Sequence, residues 1–203
     1  DMLPVSEEPR RQRAMGGRTP MTLEPTRVVA ETGVSRVRFG ECALDVVAEE
    51  VRRLGAARAL VLSTPPQADT AHEIAAALGP LAAGIYTRAT MHTPVEITEE
   101  AVRHAVEIGA DALVAMGGGA TIGLAKAIAL RTGLPQVVVP TTYAGSEATP
   151  ILGQTENGRK TTLRDPKVQP GVIIYDPALV ATLPVPMTVT SGLNAMAHAV
   201  EAL

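Results

Sequence analysis

The chain has 203 residues, enough for one well-buried core or for one domain and part of another. Apolar residues make up 46% of it, yet the aromatics are only Phe39, Tyr86, Tyr143 and Tyr175, too few for a base-stacking platform. A net charge of −3 offers no polybasic surface for nucleic acid or an anionic membrane, and no apolar run is long enough to span a bilayer.

Cys42 is the single cysteine, which excludes an intramolecular disulfide and fits a reducing, cytoplasmic compartment. Residues 1–25 are rich in Arg, Pro and Glu without an apolar signal core, and read as a disordered or cloning-derived extension. Val37 to Phe39 then reads as a strand, and Leu44 to Leu54 as a helix with apolar residues at 44, 47, 51 and 54. Ala59 to Leu62 is a buried strand, Asp69 to Leu78 an Ala-rich helix, and Gly84 to Tyr86 a weaker strand. Thr98 is the expected cap of a helix that carries Glu99 and Glu100 in its first turn and runs to Ile108. Strands at 112–116 and 137–140 follow, with a helix from Ile122 to Leu130 between them. Strands apolar on both faces, separated by helices, predict a parallel α/β sheet. Its ligands bind at the carboxyl ends of the strands, where the loops after Leu62, Met116 and Val139 lie.

The turn Gly117-Gly118-Gly119-Ala120 closes one of these strands and opens a helix that contains Lys126. Bare backbone at such a turn can approach a ligand, and the helix start offers unpaired N–H groups to an anion such as a dinucleotide pyrophosphate. A tight turn without a ligand is the plain alternative. The spacing is not G-x-G-x-x-G, because Ile122 takes the last glycine position, and no Gly-Lys-Ser/Thr makes it a P-loop.

Past Pro140 the pattern changes. Ile151–Gln154 and Lys160–Leu163 flank Glu156-Asn157-Gly158 as a hairpin with an Asn-Gly turn, and Val172–Tyr175 is a further strand. A helix begins near Val189 and is still apolar at Leu203, so a truncated second domain is expected.

Four segments, taken together, resemble the iron-containing (group III) alcohol dehydrogenase family. They are the glycine turn with Lys126, Pro140-Thr141-Thr142-Tyr143-Ala144-Gly145-Ser146-Glu147, Lys160, and Gly192 to Glu201. Within the family the resemblance is to the maleylacetate reductases, which reduce maleylacetate to 3-oxoadipate in aromatic-ring degradation, and it runs from about Thr26 to Leu203. It implies a Rossmann-like parallel sheet as a dinucleotide-binding domain over 26–186, then the first helix of an α-helical domain over 187–203. It also implies NADH or NADPH as cofactor and a homodimer, the latter through an edge strand near Phe39.

By the same resemblance Thr141, Thr142 and Ser146 serve the nucleotide, although Ser and Thr also bond their own turns. Lys160 falls where the family places a lysine near the nicotinamide ribose; alone it reads as a surface cation, and Lys126 reads as solvated.

Two departures are visible. The metal-dependent members carry Asp-x-x-x-His at i and i+4 on the helix opening the second domain, where this chain has Asn194 and His198. A neutral amide removes the anionic ligand, so no metal is expected, and His198 either faces the substrate or packs in the helix. Ala120 stands where the family's turn usually ends in Ser, with Thr121 adjacent. The loop Ser63-Thr64-Pro65-Pro66 carries no acid to select NAD by its ribose 2′-hydroxyl, so both cofactors are expected.

The substrate is a dianion, and Arg88, Lys160, Arg164 and Lys167 are the cations available to it. The rival readings are a metal-dependent alcohol or glycerol dehydrogenase of the same fold, or an inactive nucleotide-binding fragment.

Overall fold

Ala59–Leu62 (β3), Ala112–Gly117 (β5), Gln136–Pro140 (β6) and Val172–Tyr175 (β9) form the parallel centre of the molecule, and their side chains divide by parity between two cores. Ala59, Val61, Val114, Met116, Val137 and Ile174 pack on one face; Leu60, Leu62, Leu113, Ala115, Val138 and Ile173 pack on the other. The computed structural model describes residues 27–31, 34–40 and 42–201, so the extension read at 1–25 lies outside the described residues.

The first face is covered by Ala43–Arg53 (α1) and Ala68–Leu78 (α2), the second by Val95–Glu107 (α3) and Gly119–Thr132 (α4). Val28–Glu31 (β1), Arg36–Phe39 (β2) and Ala82–Tyr86 (β4) complete a seven-stranded sheet of order β1-β2-β9-β6-β5-β3-β4. Among the described strands of this sheet only the β1–β2 pair is antiparallel. Ile151–Glu156 (β7) and Arg159–Arg164 (β8) make a separate hairpin, and Pro177–Ala181 (α5) and Val185–Glu201 (α6) follow.

This order positions the site. From β3 the chain passes through α2 to β4 at the sheet edge, whereas from β5 it passes through α4 to β6 in the opposite direction. The two connections therefore leave opposite faces and open a crevice between the carboxyl ends of β3 and β5, the topological switch point of a doubly wound sheet.

The expected parallel α/β sheet is present, and the hairpin turns through Asn157 and Gly158 with φ of 48° and 74°, the pair that such a turn demands. Several boundaries differ. In α1 the buried stripe is Ala43, Val46, Val47, Glu50 and Val51, and Leu44 is exposed, because the face packed on the sheet lies beside the 44-47-51-54 row. Helix α3 begins at Val95 behind Pro94, and Thr98 lies inside its first turn, its hydroxyl donating back to the Pro94 carbonyl at 3.1 Å instead of capping.

Helix α6 begins at Val185 rather than near Val189, with Pro186 in the first turn, where its missing N–H costs nothing. Phe39 is not on an edge strand: β2 is paired on both sides, and β1 is the edge.

Candidate functional site

The glycine turn crosses the crevice. At Gly117, φ is 150°, and a Cβ there would lie 2.5 Å from Thr121 Oγ1 and 2.9 Å from Gln67 Oε1, so no side chain fits. At Gly118 the backbone is extended, with φ −88° and ψ −161°, and the constraint is space: a Cβ would stand 2.9 Å from Thr142 Cγ2. Helix α4 then starts with no acidic residue in its first turn, leaving N–H donors and the positive end of the helix dipole for an anion.

The loop after β6 forms the facing wall. Thr141 N–H donates to the Gly117 carbonyl at 3.1 Å. Gln67, which the sequence reading passed over, links both sides: its Nε2 donates to Thr141 Oγ1 at 3.1 Å and its Oε1 accepts from Thr64 Oγ1 at 3.2 Å. Ser146 Oγ is buried and has no hydrogen-bond partner. An orphaned hydroxyl and an acid-free helix start in the lining of one cleft are groups that a polar ligand would satisfy.

Together these segments enclose a cleft of about 820 Å³ that also takes in His92 and Thr93, Lys160 of β8, and Met187 and Ser191 of α6. Each residue read as cofactor-binding lines this cleft except Gly117, which is buried at the strand end. Thr121 does not replace the hydroxyl missing at Ala120, because its own is fully buried beneath the turn against Gly117.

Of the cations proposed for a dianion, Lys160 alone lines the cleft. Arg88 is paired with Glu100 beside α3, and Arg164 and Lys167 lie exposed away from it. Lys126 departs furthest from its sequence reading. It is 1% exposed, and its ammonium donates to the carbonyls of Ser146, Thr149 (2.6 Å) and Ile151 (3.0 Å). Burial pushes it down to about 8, against the opposing pull of Glu147. One cation in the otherwise apolar run Ile122–Leu130 was the signal that could have found it.

His92 and Thr93 carry positive φ of 67° and 46°, held by Thr155 N–H donating to the Thr93 carbonyl at 3.2 Å and by Thr93 filling the space beside Gly123. Two adjacent non-glycine residues in this region mark a constrained cleft wall.

Asn194 and His198 are exposed on α6, outside the cleft lining, with His198 Nδ1 3.4 Å from Glu201 Oε2. Positions 187, 191, 194 and 198 nevertheless share one helical face, and Met187 and Ser191 on it line the cleft. Among the described residues no three His, Cys, Asp or Glu side chains are grouped to hold a metal. Asn194 places a neutral amide, four residues before His198, where a carboxylate would be an anionic ligand. No helix among the described residues is long and apolar enough to cross a membrane.

Fold and site define a doubly wound α/β protein whose glycine turn and hydroxyl-bearing loop line a crevice at its switch point. The chain belongs to the iron-containing alcohol dehydrogenase family, whose family model matches residues 34–177. It is 62% identical over 175 residues to a maleylacetate reductase of Rhizobium sp. (strain MTP-10005), covering 86% of this chain and 50% of that protein. The crystal structure of maleylacetate reductase from that Rhizobium strain aligns with a TM-score of 0.81 at 59% identity, over 88% of this chain and 51% of that one. The crystal structure of the Agrobacterium tumefaciens maleylacetate reductase aligns at 0.80 and 56% identity, over 87% and 50%. The chain thus spans about half the length of the relatives it matches.

Proposed function

We propose that this chain is the nucleotide-binding part of a maleylacetate reductase that uses NADH or NADPH to reduce the carbon–carbon double bond of maleylacetate to 3-oxoadipate. The observation that carries the reading is the convergence of the glycine turn, the hydroxyl loop and Lys160 on one cleft, in a chain 62% identical to a maleylacetate reductase. In this reading residues 26–186 hold the nucleotide and 187–203 open a second, helical domain.

When bound, a reduced nicotinamide supplies hydride to the conjugated carbon of the substrate. The chain's own residues do the rest. The α4 N-terminus and the N–H groups after Gly118 hold the pyrophosphate, and Thr141, Thr142 and Ser146 bond the ribose and carboxamide. Lys160 draws in the dicarboxylate and stabilises the enolate, and His198, further along the α6 face that already reaches the cleft, delivers the proton. An enone accepts hydride without a Lewis acid, which agrees with the neutral Asn194.

Spectrophotometric NADH oxidation by the full-length protein tests this reading. Turnover with maleylacetate and none with simple aldehydes or ketones is the expected outcome; the reverse would move the protein to the alcohol dehydrogenases. Prolonged chelation is expected to leave the rate unchanged, and Asn194→Asp is expected to bring no gain in maleylacetate reduction. Activity lost on chelation and recovered with iron or zinc would overturn the metal-independent reading.

Thr64→Asp is expected to shift the ratio of kcat/KM toward NADH by about tenfold or more, because a carboxylate beside the ribose repels a 2′-phosphate. An unchanged ratio would show that the loop after β3 does not read the ribose. We also read the protein as a cytoplasmic homodimer, supported by its lone cysteine and by the open edge of β1, where Val28 and Val29 are about half exposed.

A further inference from the structure

The cleft's floor contains a cation that no step above uses. Lys126 projects from the middle of α4 into three main-chain carbonyls, those of Ser146, Thr149 and Ile151, and Thr149 Oγ1 lies 3.3 Å from the same ammonium. An ammonium has three protons to give, and the site matches them with backbone oxygens drawn from two consecutive segments, the end of the hydroxyl loop and the first residue of β7. Those segments carry Ser146 on one side and lead to the Lys160 hairpin on the other. No other bond of comparable burial ties the 146–151 backbone to α4 among the described hydrogen bonds.

We propose that Lys126 is the positioning residue of the nucleotide site. Its ammonium pulls the 146–151 backbone onto α4 and so sets the gap between the glycine turn and the hydroxyl loop on which cofactor affinity depends. This rests on the nucleotide-binding reading and adds to it a residue and a proton.

The groups that face Lys126 are few. Glu147 lies beside it and is 4% exposed. One carboxylate oxygen of Glu147 accepts from the Tyr175 hydroxyl at 3.1 Å, and the other has no partner. Burial, then Glu147, hold the Tyr175 phenol well above its usual range, so it stays neutral. Lys160 and His92 line the same cleft from the hairpin and from the loop after β4, and β5 and β6 beneath carry no charged side chain.

The sign of the linkage follows. In the free protein burial pushes the Lys126 ammonium down to about 8, from the 10.5 of a solvated lysine. A dinucleotide brings negative charge into this cleft, favours the ammonium and raises its pKa. Binding near pH 8 therefore takes up a proton, and affinity falls as pH rises above 8. Stability of the free protein runs the other way. The unfolded chain holds this proton up to about 10.5, so the Lys126 contribution to stability increases between pH 8 and 10.5.

The experiment is NADH titration of the full-length protein by calorimetry from pH 6.5 to 9.5, in two buffers of different ionisation enthalpy. The wild type should bind with constant affinity below about pH 7.5 and weaken above it, approaching about tenfold per pH unit, with uptake of up to about half a proton at pH 8. Lys126→Met, of similar length but without donors, should bind at least about tenfold more weakly at pH 7 and show neither pH dependence nor proton uptake. The difference in unfolding free energy between wild type and variant should grow with pH over the window above, a trend that plain loss of packing would not give.

A Lys126→Met protein that keeps the wild-type affinity and pH profile overturns the inference. So does a wild-type profile that stays flat to pH 9.5, which decides the matter even where the variant does not fold. A wild-type protein that binds neither NADH nor NADPH overturns the nucleotide reading itself.

Discussion

Gly118→Val is expected to weaken NADH binding by at least about a hundredfold while leaving the protein folded. Backbone freedom is not the reason, since φ −88° and ψ −161° suit any residue. The reason is distance. A Cβ at 118 would stand 2.9 Å from Thr142 Cγ2 and 3.2 Å from Thr142 Oγ1, and valine adds two methyl groups in that direction. The glycine turn and the hydroxyl loop must then part, and the helix-start donors lose their reach to a pyrophosphate. Two charge-assisted hydrogen bonds lost at about 1.5 kcal/mol each already exceed a factor of a hundred. Gly118→Ala should fall between the two. Unchanged NADH affinity in a folded Gly118→Val protein would remove the turn from the site.

How far the sequence could be read follows from which interactions are local. The central strands were legible because burial on both faces leaves nothing but Ala, Val, Leu, Ile and Met in them, and the hairpin because Asn157-Gly158 has one use between two strands. The glycine turn was legible because three bare residues between a strand and a helix have a physical purpose. Strand β1 was not. Val28–Glu31 is four residues with every side chain exposed, so its pairing with β2 leaves no periodic mark. Phe39 was therefore placed on an edge that β1 in fact covers. Gln67 was passed over and Lys126 was read as solvated for the same reason: what defines them lies far along the chain. Gln67 answers Thr141, 74 positions away, and Lys126 answers carbonyls 20 to 25 residues on. A glutamine in a short loop and a lysine in a helix look ordinary until the partners are in place.

Glu50 is the second position where a large effect is expected. It is fully buried on α1, and its carboxylate holds β2 to that helix. Arg36 Nε donates to both of its oxygens at 3.1 Å, and an Arg38 terminal nitrogen donates to one at 2.8 Å. The hydrogen bond to Glu50 is the largest influence holding the Arg36 guanidinium above its usual range, so this cation stays charged throughout the accessible pH range. Outer carboxylates balance the second positive charge: Glu31 meets Arg36 and Arg53, and Glu49 meets Arg38. Those outer pairs are exposed on the acid side and add little. The inner one is different, because removing its anion leaves two guanidinium groups facing a buried site without the acceptor that offset their desolvation.

Glu50→Ala is therefore expected to cost about 3–5 kcal/mol of stability, the range for breaking a buried ion pair from one side. In a protein of this size that lowers the thermal midpoint by roughly 10 °C. Glu50→Gln keeps the shape and one acceptor oxygen and should cost less, whereas exposed Glu49→Ala should stay within about 1 kcal/mol. The NADH affinity of folded Glu50→Gln should match the wild type, since α1 covers the sheet face away from α4. Calorimetric unfolding of the three variants beside the wild type checks the order. A Glu50→Ala midpoint within 2 °C of wild type, or a Glu49 effect as large as that of Glu50, would mean that the buried carboxylate does not carry the β2–α1 junction.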